Sequence, residues 1–195
     1  VNRWHVVLGL LAALGLGCSK TPAEPEPSAS SAPSSPAVRP LAYDVPGTWT
    51  VLEAPRSGPK KAIYKVPKTG DAKEDAELTV VFFGTGSGGD EDARFAELFA
   101  LFDGDVGKTA AREAFEVGGM KVETFDVAGT YKVALAPTMR GKKQSPIQMV
   151  KDRYRMLGAV VKTKDRGNWF FKVVGPDDTV QAARSSFRGI LESVR

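Results

Sequence analysis

The chain is predicted to fold as an α+β domain: a mainly antiparallel sheet of about six or seven strands with two main helices packed on it. Three observations carry this. Short apolar or alternating runs dominate residues 41–195 and succeed one another across tight turns, as hairpins do. Only two stretches have the spacing of an amphipathic helix, one in the middle and one at the end. Strand and helix signals do not alternate, so the crossovers of a doubly wound parallel sheet are missing.

The elements follow in order. TWTVLEA (48–54), KAIYKV (61–66) and ELTVVFF (77–83) alternate or run apolar over strand-like lengths, with Pro, Gly and Lys turns between them. From Asp90 to Phe102, Phe95, Leu98, Phe99 and Phe102 recur at helical spacing behind acidic residues. EAFEV (113–117) and MKVETFDV (120–127) flank Gly118-Gly119, a hairpin loop that wants positive φ. YRMLGAVVKT (154–163) is apolar on both faces at its centre, as a central strand is, and NWFFKVV (168–174) pairs with it across KDRG. Gly175-Pro176 stops that strand, and Asp177 or Asp178 is expected to cap the last helix. There Val180, Ala183, Phe187, Ile190, Leu191 and Val194 form one apolar stripe.

Ahead of this domain the composition changes twice. Residues 1–17 read as an export signal: Arg3 gives a positive start, and Val6 to Leu16 form an apolar core. That core is shorter than the roughly 20 residues a membrane-spanning helix needs. Val1 in first place is expected to mark an alternative start codon. Residues 18–40 begin at Cys18 and continue with six prolines and six serines in 19–40, too little apolar surface to offset ordering entropy. Such a linker reaches between about 25 Å as a coil and about 70 Å as polyproline II. Residues 41–195 then form a single domain, of a size that buries about 68–70% of its unfolded surface and needs no disulfide.

Three glycines after the third strand, Gly84, Gly86 and Gly89, have the G-x-G-x-x-G spacing of a nucleotide cradle. The context is wrong for one. No βαβ unit surrounds them, and Asp90, Glu91 and Asp92 would repel a phosphate from the helix that follows. The stretch reads as a turn into an acid-capped helix. Neither this cluster nor Asp103 and Asp105 has the alternating acidic loop of a calcium site.

The composition excludes much chemistry. The one histidine, His5, and the one cysteine, Cys18, both precede the domain. Ser-His-Asp and Cys-His nucleophiles, thiolate redox and the usual zinc and copper ligand sets are therefore absent from it. Ser87 lacks the G-x-S-x-G elbow, because Thr85 stands where a glycine is needed. Ser57 and Lys60 have S-x-x-K spacing, but Gly58-Pro59 denies them a helix. Carboxylates such as Glu123 and Asp126 occur at a density expected by chance. No enzyme activity, cofactor or metal is expected.

Charge is segregated along the chain. Residues 71–105 hold ten acidic and two basic residues, whereas Arg140 to Arg166 holds nine basic residues against Asp152 and Asp165. Arg140, Lys142, Lys143, Lys151, Arg153 and Arg155 are the candidate face for an anionic envelope component or an acidic protein surface. The alternative is a lysine-rich edge that keeps a hairpin soluble. The formal charge of +4 is too mild to suggest nucleic acid.

Two resemblances give this outline a setting. LGLGC before the linker resembles the lipobox of bacterial lipoproteins, which implies cleavage before Cys18 and acylation of its thiolate, although Gly15 and Gly17 also suit an ordinary secretory cut. Lipidation accounts for a lone cysteine that has no partner. Ser19, in place of the aspartate associated with inner-membrane retention, favours the outer membrane, facing the periplasm or the cell surface. Trp49 on the first strand, the hairpin-rich middle and WFFKVVGPDDTVQAARSSFRGILESV resemble the PsbP-like α/β/α sandwich group, which includes DcrB-like lipoproteins. That likeness implies a non-catalytic envelope module. The expected function is thus a lipid-anchored interaction or assembly accessory; the alternative is a small-ligand binder with a pocket between sheet and helix.

Overall fold

Alternation along the two most apolar strands decides which side of the sheet each helix covers. The computed structural model describes residues 40–85, 90–134 and 148–195. Its strands are β1 (Thr50–Leu52), β2 (Lys60–Val66), β3 (Ala76–Phe82), β4 (Ala111–Val117), β5 (Met120–Ala134), β6 (Gln148–Lys162) and β7 (Asn168–Pro176). All pairings are antiparallel, in the order β1-β2-β3-β7-β6-β5-β4. The predicted hairpin of residues 154–174 therefore sits in the middle. Leu157, Ala159 and Val161 of β6 face one side with Trp169, Phe171 and Val173 of β7. Met156, Val160 and Phe170 face the other. Burial on both sides is why these strands read as nearly unbroken apolar runs.

Each side carries one helix layer. On the first lie α2 (Asp177–Ala182) and α3 (Arg184–Glu192). The single terminal helix expected from the sequence is broken at Ala183, yet its six stripe residues all enter one core. The expected aspartate cap is not formed. Pro176 holds the cap position, and the Asp177 carboxylate instead accepts from Arg155 Nε at 2.5 Å. On the second side lies α1 (Glu91–Phe99), capped by Asp90, whose side chain accepts from the Asp92 N–H at 3.0 Å. Its Phe95 and Phe99 meet Phe125 edge-on, with ring centroids 4.8 and 4.9 Å away.

Two features outrun the sequence. β5 and β6 continue well past the predicted residues 127 and 154, through polar sequence that carries no alternation. Their register slips between Gly129 and Tyr131, where Arg153 takes φ +53° in the left-handed region. Beyond the end of β4, the segment after α1 satisfies the outer edge of β5: Asp103 N–H donates to Thr130 O at 2.9 Å and Lys132 N–H to Leu101 O at 2.7 Å. The other feature is closure of the domain ends. Ala42 and Arg195 exchange backbone hydrogen bonds of 3.1 and 3.0 Å, and Arg195 forks onto Asp44 at 2.9 Å twice.

Gly118 and Gly119, at φ +56° and +74°, turn the β4–β5 hairpin as predicted. Gly158 serves packing. A Cβ there would lie 2.2 Å from the Phe125 ring, which lies over the strand. Gly158→Ala is therefore expected to lower stability by about 1–3 kcal/mol, the cost of overpacking a filled core. Urea unfolding should show it as a lower midpoint with unchanged slope.

Candidate functional site

The register across the sheet creates a depression on the α1 side. Phe125, Gly158, Lys172, Thr79, Ile63 and Leu52 are successive cross-strand partners from β5 to β1. Large side chains on this row would fill the space beneath α1. The Phe125 ring occupies the space over Gly158, but Thr79 is short, and a cavity of about 150 Å³ remains beside it. Phe95 and Leu98 of α1, with Phe83, Phe125, Phe170 and Val81, form its apolar lining. Lys60, Arg94 and Glu97 stand at its edge, and Arg94 donates to Glu97 at 2.9 Å while lying 4.3 Å from the centre of the Phe83 ring.

Lys172 is the anomaly. It lies mid-strand on β7, with Thr79 opposite on β3, half-buried beside these apolar groups. Among the described residues its ammonium has no hydrogen bond and no ion pair. Loss of hydration pushes its pKa below the ordinary lysine value; Glu77 pulls it back up, and Lys60 lowers it further. Glu77 does not reach it in contact, accepting instead from the Thr79 hydroxyl at 2.9 Å. Partial loss of hydration without an ionic partner opposes folding, and an amine at an apolar cleft is a common mark of a binding or reaction site. NWFFKVV signalled a buried strand, and its lysine was the overlooked signal.

The basic stretch is dispersed by the fold. Arg140, Lys142 and Lys143 lie outside the described residues, as does Cys18. Arg155 points to the α2 side, where Asp126 accepts at 2.7 Å and Asp177 at 2.5 Å. Burial disfavours its charge, but these two carboxylates hold its pKa above the ordinary value. Lys151 pairs with Glu74, which sits below the usual carboxylate range because Lys151 and Tyr154 hydrogen-bond to it. Of the candidate cations described, Arg153 is exposed without an acidic partner among the described residues. Arg155 and Lys151, candidates for the anionic-partner face, are thus members of intramolecular ion pairs.

The acidic clusters are likewise engaged. Glu91 pairs with Lys162, Asp92 with Arg112, Asp103 with Lys132 and Asp105 with Lys108. Glu123 and Asp126, three apart on a strand, face opposite sides: one meets Lys162 at 2.9 Å, the other Arg155 and Arg184. Among the described residues no group of three or more His, Cys, Asp or Glu is placed to hold a metal. The glycine turn is described only at its start, where Gly84 takes φ +108°. Four larger grooves among the described residues differ from the Lys172 cleft, two of them lined by ion pairs or charge. One of about 390 Å³ beside α3 is bordered by Asp126–Arg184 and Glu113–Arg188 pairs, and one of about 540 Å³ at the β5–β6 bulge is mostly charged.

No family model matches the chain, and neither does any curated protein sequence. Among solved structures, a Pseudomonas aeruginosa protein of unknown function is similar over 75% of this chain and 96% of its own, at 10% identity and a TM-score of 0.41. Nothing about function follows from that likeness.

Lys172→Met should stabilise the fold by about 1 kcal/mol at neutral pH, since it replaces an unpaired, half-buried amine by an apolar chain of similar shape. A lysine whose folded pKa is lowered binds fewer protons folded than unfolded, so its penalty is complete at low pH and fades as pH rises towards about 10.4. The stability gap between Lys172→Met and the parent chain should therefore narrow from pH 7 to 10 in denaturant titrations. Glu77, Lys60, Arg94 and Glu97, the charged groups around the cleft, are common to both proteins and cancel in the comparison.

Proposed function

We propose that this chain is a lipid-anchored envelope protein whose folded domain binds a small, largely apolar ligand between α1 and the sheet. One observation carries the ligand reading: an apolar cleft with an unpartnered lysine at its floor. Few polar groups in a mostly apolar recess is the usual make-up of a small-molecule site. The volume, about 150 Å³, is well under the roughly 300–1,000 Å³ of pockets for drug-sized molecules. An apolar cavity of about that size holds benzene. The role is binding rather than catalysis.

The anchoring part rests on the lipobox-like LGLGC and the Pro/Ser linker. Among the described residues no helix is long and apolar enough to cross a membrane. Helix layers on both sides of the sheet support the resemblance to the PsbP-like group. A second reading, the assembly accessory, is favoured by Met149 and Val150, which are 38% and 55% exposed on β6 beside Arg153. It would place the partner on the outer part of the β5–β6 hairpin.

Cys18→Ser should abolish labelling of the protein by radioactive palmitate in growing cells; undiminished labelling would overturn the anchor. For the ligand, benzyl alcohol added to the purified full chain should shift amide resonances of α1, β3 and β7 and leave those of β1 and β4 in place. Val81→Phe, which narrows the cleft from its wall, should weaken that binding at least tenfold. Shifts centred on residues 148–153 instead would replace the cleft by the second reading.

A further inference from the structure

The cleft's charge is unbalanced, and the imbalance names a ligand class. Arg94 and Glu97 satisfy each other at the edge, which leaves Lys60 and Lys172 as cations of the cleft without a matching acid in its lining. Glu77, on β3 two residues before Thr79, has a carboxylate oxygen occupied by the Thr79 hydroxyl at 2.9 Å. A cationic ligand would meet two like charges. A neutral one would bury Lys172 further and leave its three N–H donors with no acceptor. A multiply charged anion would set charge against Phe95, Leu98 and Phe170, with nothing to compensate it.

Resting on the ligand-binding reading above, we propose that the cleft takes a small monocarboxylic acid. Its carboxylate would accept from Lys172 Nζ, and its hydrocarbon part, about the size of a benzene ring, would lie against Phe95, Leu98 and Phe170. Binding then supplies the acceptor that folding withholds from this amine, in a place where a charge-assisted hydrogen bond is strong. Lys60, exposed at the edge, adds longer-range attraction for the same sign. The lysine on the floor selects the head group, and the volume above it limits the tail.

Isothermal titration of the purified full chain at pH 7 tests this with matched pairs: benzoate against benzyl alcohol, and hexanoate against hexanol. Each carboxylate is expected to bind at least tenfold more tightly than its alcohol. Lys172→Met, which removes the amine and keeps an apolar chain, should erase that preference while the alcohols bind as well as before or better. Lys172→Gln provides a second variant of similar length, with the same expected loss. Equal affinity for acid and alcohol in the parent protein would overturn the carboxylate assignment and leave a neutral-ligand site. A preference surviving both substitutions would overturn Lys172 as the anchor. If neither class bound at all, the ligand-binding reading itself would fall, and the carboxylate with it.

Discussion

Burial of the β6–β7 hairpin on both faces is the constraint from which the rest of the structure follows. Residues 156–161 and 169–173 need apolar partners above and below the sheet, and one helix cannot provide both. The chain therefore sends α1 to one side, from the middle of the sequence, and α2 with α3 to the other, from its end. Because the same two strands are the spine of both cores, a polar side chain on them is costly wherever it points. Lys172 is the residue on β7 that violates this without an ionic partner among the described residues. Cost of that kind, at a recess, fits a site built for an acceptor that arrives from outside.

Ion pairs fix how the helices sit on that spine. Arg155 bonds Asp126 of β5 and Asp177 of α2, and Arg184 of α3 reaches the other oxygen of Asp126. On the opposite side Lys162 joins Glu123 of β5 to Glu91 in the first turn of α1. With Asp126 only 11% and Arg155 17% exposed, the first set is screened little by solvent. Its worth lies as much in placement as in energy, because a buried pair gains little net stability over apolar replacements. α1, held in this way, roofs the cleft over Lys172.

Much of the fold was legible. Alternating or continuous apolar runs located all seven strands, and the stripe from Val180 to Val194 located the last helix layer. The outer parts of β5 and β6 were not, because the sequence there carries no alternation and a bulge at Arg153 shifts the phase. The placement of the basic side chains was not legible for a related reason. Neighbours in sequence point to opposite faces of a strand, so Arg155 joins the α2 side while Lys162 joins the α1 side. A run of charge along a strand is not a charged face.

The amino-acid sequence by itself determined the α+β class, the strand and helix content, the turn glycines and the lack of histidine and cysteine within the domain. These are local properties, written in spacing and composition. Only the tertiary structure decided which charges are partnered and where space is left, since both depend on residues far apart in the chain. Phe125, Lys172 and Thr79 are unremarkable in their own segments. Cross-strand register sets them in one row, and the roof of α1 turns that row into a cleft.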